Sequence, residues 1–280
     1  MKFKFTVIIL FIFGNIFAQG KGIFDTLPSI SIGAGVLSFK GDVGKDNTVS
    51  PSSRMRAGYS IAIGQRINNM LDVSISGVFG KLTSTEYTTL VNRNFESKIK
   101  QFDVSVLFRT DELLSEFSLT PYVGLGLGFM SFDPHADLLD KNGNKYFYWT
   151  DGSVRDRTEN IPNTITSRML IHDYNYETQL KDSAVNYSRK AMTIPLTIGL
   201  NFSILNNLSA KIGLTYFMIF SDYVDNVKAN GNNDSYTYSN VTVTYRFRKF
   251  DRKKAKIDDS RYDDVDFNKI EEDLRKKKQL

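Results

Sequence analysis

The sequence of 280 residues contains no cysteine. A disulfide framework is therefore excluded, and so is the acylated cysteine that anchors a lipoprotein. After the first twenty residues, no apolar run is long enough for a transmembrane helix, which excludes a helical inner-membrane protein. Neither sign of charge dominates, because 36 basic and 31 acidic residues are mixed along the chain and leave a net charge of +5. This distribution does not indicate a nucleic-acid-binding surface.

The first residues predict a secretory signal peptide. Lys2 and Lys4 precede an apolar stretch, Thr6–Phe13, which continues to Ile16–Ala18. A positive end, about a dozen apolar residues and a small residue at the exit are typical of a signal peptide. The alternative is a single anchoring helix, but that needs about 20 apolar residues, and this run is shorter. We therefore expect residues 1–18 to be cleaved from the mature chain.

The remaining sequence alternates between apolar and polar residues with a period of two, which predicts β-strands. The pattern is clear in Leu71–Phe79, and it recurs in Met192–Ile204 and Leu208–Met218, which are separated by the tight-turn pair Asn206-Asn207. The other predicted strands are Ser29–Lys40, Met55–Gln65, Gln101–Arg109, Thr120–Phe132 and Tyr236–Phe247. Eight strands of about ten residues suit a tilted membrane crossing.

The connections between these strands alternate in length. The long polar ones are Gly41–Arg54, Thr83–Lys100, Asp133–Arg189 and Ser221–Ser235, and the short ones are Arg66–Met70, Thr110–Leu119 and Asn206-Asn207. Long loops at one end and short turns at the other are the arrangement of outer-membrane barrels. A soluble β-sandwich is the alternative, but it has no reason to alternate in this way. The sequence predicts an all-β protein: an eight-stranded antiparallel up-and-down transmembrane barrel over residues 19–247. Loop 133–189 is expected outside the cell, and both termini in the periplasm.

An eight-stranded barrel has an interior that side chains just fill, so no wide channel is expected. On the predicted register, six charged side chains point into the lumen: Arg56, Asp72, Asp103, Arg109, Lys211 and Arg246. Charges in such a place must pair or reach water, because an isolated buried charge is costly. We therefore predict a salt-bridge network that plugs the lumen, with a narrow ion path as the alternative.

Three lysines are expected on the outer wall. Lys98, Lys100 and Lys190 share the parity of the outward residues Phe102 and Ile194 but lie beyond the apolar bands. At the outer rim they would meet the phosphates of lipopolysaccharide, whose charge they would offset. The sequence therefore predicts that these lysines face lipopolysaccharide.

The sequence offers little for catalysis or metal binding. His135 and His172 both lie in the longest loop, and His172-Asp173 could form an oriented base, but no serine nearby carries a nucleophile motif. Asp140–Asn144 places oxygen ligands at alternate positions but lacks the closing carboxylate of a calcium loop, so a polar turn is the better interpretation. A hairpin is expected around Asp151-Gly152. We predict no enzymatic activity, catalytic residue, cofactor, metal or small-molecule substrate.

Residues 248–280 differ in character from the barrel. A basic segment and an acidic segment precede Phe267, Ile270 and Leu274, which would share one face of a short helix. One interpretation is a solvated tail. The other is a segment that becomes ordered when it docks on a periplasmic partner through these three residues.

Several short motifs resemble a known family. Gly41–Gly44, Arg93–Phe95, Thr120–Tyr122, Phe132–Pro134 and Asp222–Asp225 occur in this order. They resemble the PorG-like outer-membrane barrels of Bacteroidota, which accompany the type IX secretion (gliding-associated) machinery and are related to OmpA-type eight-stranded barrels. The resemblance covers about residues 29–247. It implies a small barrel that contacts the periplasmic ring of the secretion apparatus.

Three functions are therefore open. The first is an accessory or anchoring subunit of an envelope complex, with the tail as its contact to periplasmic or outer-membrane protein subunits. The second is a structural or surface-adhesion barrel that binds through its extracellular loops. The third is a lipid-modifying enzyme or a narrow channel. We expect the first.

Overall fold

The computed structural model describes residues 27–44, 54–68, 70–87, 92–110, 119–181, 187–228, 233–247 and 275. The chain divides into two units, Met1–Phe247 and Arg248–Leu280. The expected signal peptide 1–18 lies outside the described residues. So does the expected tail, apart from Arg275.

The period-two pattern forms strands where it was predicted. In chain order the elements are β1 (Ser29–Lys40), β2 (Met55–Arg66), β3 (Leu71–Tyr87), β4 (Asn92–Arg109), β5 (Leu119–Ala136), β6 (Phe147–Tyr148), β7 (Val154–Arg155), α1 (Ile161–Thr166), β8 (Thr178–Gln179), β9 (Lys190–Leu205), β10 (Leu208–Ile219) and β11 (Ser235–Arg246). Eight of these strands are long, and β6, β7 and β8 have two residues each. Within the described residues, no helix is long and apolar enough to cross a membrane.

The eight long strands form one closed antiparallel sheet. Its order is β4, β3, β2, β1, β11, β10, β9 and β5, and β4 pairs with β5 to close the ring. The first and last strands pair along their whole length, from Ser29 opposite Arg246 to Lys40 opposite Ser235. The predicted eight-stranded up-and-down barrel is therefore confirmed. We call the end with the Asn206-Asn207 turn the turn end, and the opposite end, with the connection from β5 to β9, the loop end.

One predicted loop is wrong. The segment Thr83–Lys100 was expected to be a long connection, but β3 and β4 continue through it as paired strands until Tyr87 lies opposite Asn92. Polar residues occupy adjacent positions there, as in Thr83-Ser84-Thr85, so the apolar period that marks a membrane strand is missing. A strand pair outside the lipid needs no apolar outer face, because its backbone hydrogen bonds are satisfied within the pair. The ribbon therefore extends the barrel beyond its apolar wall.

Candidate functional site

The outer wall of the barrel is apolar. Large apolar side chains that are at least one third exposed occur on all eight long strands, among them Ile32, Tyr59, Ile75, Val104, Leu127, Ile198, Ile212 and Val241. They alternate with residues that point into the barrel, as on β5, where Val123, Leu125, Leu127 and Phe129 are exposed and glycines lie between them. A closed sheet with an apolar exterior satisfies its backbone internally and presents only hydrocarbon to its surroundings. The wall is therefore suited to lipid, and the chain has the architecture of a transmembrane barrel.

The half of the lumen near the turn end is lined by hydroxyl and charged groups. A cavity of about 130 Å³ is bordered by Ser31, Ser60, Ser74, Ser76, Ser105, Thr197, Thr215 and Thr242, together with Asp72, Asp103 and Lys211. The Asp103 carboxylate accepts hydrogen bonds from Ser76 Oγ at 2.7 Å and Ser105 Oγ at 3.0 Å. Lys211 Nζ lies 5.7 Å from the ring centroid of Tyr122. Small hydroxyl side chains leave room in this half and satisfy a buried charge.

Two arginines hold the carboxylate nearest the turn end. Asp72 Oδ2 lies 3.3 Å from Arg109 Nε, and Asp72 Oδ1 lies 3.7 Å from Arg66 Nε. A second small cavity is bordered by Arg66, Arg109 and Arg246. Five of the six side chains predicted for the lumen therefore line these two cavities. Arg66 belongs with them but was missed, because the predicted strand ended one residue earlier.

Arg56 lies apart from this group. Its register places it opposite Leu37 on β1, but its Nε lies 3.4 Å from Glu96 Oε2, and its side chain is 31% exposed. Glu96 also lies 2.7 Å from Lys81 Nζ. Because Glu96 belongs to the polar ribbon of β3 and β4, Arg56 is held near the loop end and does not take part in the charge cluster of the lumen.

The half of the lumen near the loop end is filled by apolar side chains. We call this cluster the plug; its members are Leu37, Phe39, Val43, Val78, Leu82, Phe95, Ile99, Met130, Phe132, Ala191, Phe217, Ile219, Val224, Tyr236 and Tyr238. The rings of Phe217 and Tyr236 are stacked, with centroids 4.5 Å apart, and those of Phe39 and Phe95 meet edge to face at 4.9 Å. Val78, Phe217 and Tyr238 also border the hydroxyl-lined cavity. That cavity therefore ends at the plug, and the predicted blockage comes from apolar packing as well as from charges.

The connections at the loop end are tied together by buried aspartates. Asp225 accepts the backbone N–H of Val43 at 3.0 Å and that of Val227 at 3.0 Å. Asp234 accepts the backbone N–H of Val224 at 2.9 Å. Burial, together with the negative charges of Asp42 and Asp222, raises the pKa of Asp225 to about 6. Burial, together with the negative charges of Asp225, Asp222 and Asp42, raises the pKa of Asp234 to about 9. Two segments of the family resemblance, Gly41–Gly44 and Asp222–Asp225, therefore meet in one hydrogen-bonded cap.

The long connection from β5 to β9 carries its own small structure. The predicted hairpin is present, with β6 paired to β7 and Gly152 at a φ of 80°. Asp140 forms a polar turn, in which its Oδ1 accepts the backbone N–H groups of Asn142 at 2.9 Å and Asn144 at 2.7 Å. In the part of the chain that the structure describes, no acidic or histidine cluster is arranged to hold a metal ion.

His172 is held between two partners in this connection. Its Nδ1 lies 3.0 Å from Asp137 Oδ2, and its Nε2 contacts the hydroxyl of Tyr148. Burial raises the pKa of Asp137, and its hydrogen bond to His172 lowers it in part. The sequence suggests Asp173 as the partner of His172, but the structure pairs His172 with Asp137 instead. The backbone N–H of Asp173 donates a hydrogen bond to Tyr146 Oη at 3.3 Å. Asp137 and His172 are 35 residues apart, so their pairing has no sequence signal.

The lysines predicted for the outer wall are all exposed. Lys98 and Lys100 lie on β4, and Lys190 begins β9. Lys100 is opposite Ser131 of β5, and Ser131 is opposite Lys190. Phe267, Ile270 and Leu274, the residues expected to dock a partner, lie outside the described residues.

No protein-family model and no curated protein matches this chain. Similar solved structures include Neisserial surface protein A, at 12% identity and a TM-score of 0.43, with coverage of 79% of this chain and 97% of that one. They also include Ail, the attachment invasion locus protein of Yersinia pestis, solved with the heparin analogue sucrose octasulfate, at 16% identity, a TM-score of 0.39, and coverage of 80% and 100%. A third is the outer membrane protein OprG of Pseudomonas aeruginosa, at 10% identity, a TM-score of 0.38, and coverage of 81% and 99%.

Proposed function

We propose that this chain is a non-enzymatic barrel of a bacterial outer membrane and an accessory or anchoring subunit of an envelope protein complex. The observation that carries the proposal is the plug. Leu37, Leu82, Phe95 and Val224 are fully buried in it, so among the described residues apolar packing fills the lumen near the loop end. A barrel with a filled lumen is expected to act through the segments that it presents at the two membrane surfaces. In this proposal the loop end faces the cell exterior and the turn end the periplasm, the arrangement of other barrels with short turns.

The periplasmic contact is assigned to residues 248–280. An eight-stranded barrel is closed by its own hydrogen bonds and needs no such extension for stability. Phe267, Ile270 and Leu274 repeat at helical spacing, and three apolar residues are too few for a helix that is stable alone. In the groove of a partner they would be buried by helix-in-groove recognition. The order of the motifs that resemble PorG-like barrels favours the type IX secretion and gliding machinery as the complex.

Removal of residues 251–280 tests this function. The truncated chain is expected to insert as a heat-modifiable barrel but to lose the complex subunits that co-purify with the full chain in mild detergent. Replacement of Phe267, Ile270 and Leu274 by serine should cause most of the same loss. A variant with residues 140–176 replaced by a short Gly-Ser linker is the matched control and should keep the subunits. If the truncated chain recovers the same subunits at the same yield, the tail is not the contact.

A second candidate, binding at the cell surface through the long connection, is favoured by one observation. Ile161, Ile165 and Ile171 are each about 90% exposed, and Met169 is 67% exposed. Apolar side chains grouped in this way on a surface are typical of interaction sites. In this case the Gly-Ser loop variant, rather than the tail deletion, would abolish binding of cells to a host or neighbouring surface.

A further inference from the structure

On the outer wall of β4, β5 and β9 a serine lies between two lysines, and we call this place the notch. Lys100 of β4 is opposite Ser131 of β5, and Ser131 is opposite Lys190 of β9. Neighbouring strands lie about 4.8 Å apart, so the two lysine backbones are separated by roughly 10 Å. Ser131 is the small residue between them. The two ammonium groups can therefore reach a common point above the serine hydroxyl.

Apolar side chains lie directly beside this notch. The next outward row holds Phe102, Phe129 and Met192 on the same three strands, and each is more than half exposed. Phe79 of β3 packs against Phe102 with ring centroids 5.6 Å apart. A molecule in the notch would thus have an apolar wall on one side and water on the other.

The positive charge of the notch is not balanced by nearby acids. The carboxylate of Glu96 is held by Lys81 and Arg56. Asp133 lies directly opposite Lys98, but its carboxylate is held by Arg189 and Gln179. Among the described residues, Lys98, Lys100 and Lys190 have no acidic side chain within ion-pair distance. Three ammonium groups are therefore available on one side of the barrel.

We propose that this notch binds a phosphate group of a phosphorylated membrane lipid, the lipid moiety of lipopolysaccharide, with its acyl chains against Phe102, Phe129 and Met192. Lys100 and Lys190 donate charge-assisted hydrogen bonds to the phosphate oxygens, the Ser131 hydroxyl donates a third, and Lys98 adds charge from the next row. A free phosphate ion would not use the apolar row, whereas a lipid uses both parts of the wall. The inference rests on the proposed outer-membrane location.

The test measures lipid-dependent stability of the full chain. The protein is inserted into phosphatidylcholine bilayers alone, with bisphosphorylated lipid A, or with dephosphorylated lipid A, and the temperature of its heat-induced gel shift is recorded. Bisphosphorylated lipid A should raise this temperature for the unaltered chain, and dephosphorylated lipid A should not. In 1 M NaCl the rise should largely disappear, because the Debye length falls to about 3 Å.

Two variants locate the effect. Lys100→Gln with Lys190→Gln should weaken lipid A binding about 30-fold, since each lysine near an anionic surface contributes roughly a factor of five. Ser131→Leu fills the notch without a change of charge and should remove most of the rise in temperature. Lys141→Gln, an exposed lysine of the Asp140 turn, is the control and should behave like the unaltered chain. An equal rise with dephosphorylated lipid A, or an unchanged rise in both variants, would overturn the proposal.

The same samples separate this inference from the proposed function. The double lysine variant should still co-purify with the complex subunits, because the tail is intact. If cell fractionation finds the chain outside the outer membrane, the proposed function fails, while the bilayer measurement still decides whether the notch binds lipid phosphate. If binding fails in bilayers but the tail variants lose their partners, the notch alone is wrong.

Discussion

The backbone N–H of Val43 donates to Asp225 Oδ2 over 3.0 Å and joins two residues that are 182 positions apart in the chain. Val43 follows β1, and Asp225 follows β10. Val43 is also a member of the plug, so this bond ties the cap of the loop end to the packing inside the barrel.

Replacement of Asp225 by alanine removes two hydrogen bonds from backbone N–H groups, a buried one from Val43 and a partly buried one from Val227. Bonds to a charged acceptor each contribute roughly 1.5–3 kcal/mol, and part of this is offset because a buried carboxylate is no longer desolvated. We expect the free energy of unfolding to fall by about 2–3 kcal/mol, and by less for Asp225→Asn, which keeps an acceptor. Urea unfolding in lipid vesicles measures this. Equal losses in both variants would contradict a hydrogen-bonding role.

The cap should be more stable in mild acid than in base. The folded pKa of Asp234 is about 9 and that of Asp225 about 6, whereas an unfolded aspartate has a pKa of about 3.9. From about pH 4 upward the unfolded chain has released protons that the folded chain retains, so the free energy of unfolding falls as the pH rises. The fall continues to about pH 6 through Asp225 and to about pH 9 through Asp234.

Asp234→Asn should remove the part of this dependence between about pH 6 and pH 9. One retained proton corresponds to a slope of at most about 1.4 kcal/mol per pH unit. Urea unfolding at pH 5, 7 and 9 measures the slope, with Asp151→Asn on the exposed hairpin as the control. A slope above pH 6 that is the same in both variants would mean that Asp234 is not its source.

The plug should prevent ion conduction. In a planar bilayer the unaltered chain is expected to show no steady current, because the hydroxyl-lined cavity ends at Phe217 and Tyr238. Phe217→Ala removes one ring of a buried stacked pair, which should lower the free energy of unfolding by about 3–5 kcal/mol. Combined with Tyr236→Ala, it should allow a small current. Steady channels in the unaltered chain would refute the closed lumen.

Loss of one partner of the Asp72–Arg109 pair should lower the free energy of unfolding more than replacement of both partners. Arg109 is 5% exposed and Asp72 is 7% exposed. Loss of one partner of a buried pair leaves an uncompensated charge and costs about 3–5 kcal/mol. Arg66 remains near Asp72, so we expect Arg109→Leu to fall at the lower end of this range. Addition of Asp72→Asn should restore part of the stability, as a double-mutant cycle in urea would show.

The orientation can be tested because the chain has no cysteine of its own. Lys141→Cys lies in an exposed turn at the loop end, and Asn206→Cys lies in the exposed turn at the opposite end. On intact cells an impermeant maleimide should label the first variant and leave the second unlabelled until the outer membrane is opened. The reverse pattern would place the loop end in the periplasm.

The sequence predicts the membrane part of this barrel well because one rule applies along every strand. A side chain faces either the surroundings or the lumen, and its polarity shows which, as in Met192–Ile204. Beyond the apolar wall this rule no longer holds, because polar residues occupy both faces of the strands and some of them are buried, such as Thr83 and Ser84. The continuation of β3 to Tyr87 and of β4 back to Asn92 was missed for this reason.

Some residues of the candidate sites can be predicted from side-chain parity along a strand, and others cannot. Asp72 and Lys211 could be placed in the lumen from parity alone, whereas the plug depends on which apolar residues face inward near the loop end, such as Leu82 and Phe95. The partners of His172 and Asp225 lie 35 and 182 residues away. Contacts over such distances are set by the closed fold and leave no local pattern.

The pairing of β1 with β11 has a consequence for biogenesis. β1 can pair with β2 early, but on its other edge Ser29 lies opposite Arg246, at the far end of the last strand. That hydrogen-bonding edge of β1 therefore stays open until β11 has been made. Contacts of such long sequence separation form slowly, and an open edge invites aggregation. We therefore expect that a nonsense mutation within β11 leaves a degraded polypeptide rather than a smaller barrel, as immunoblotting of cell fractions would show.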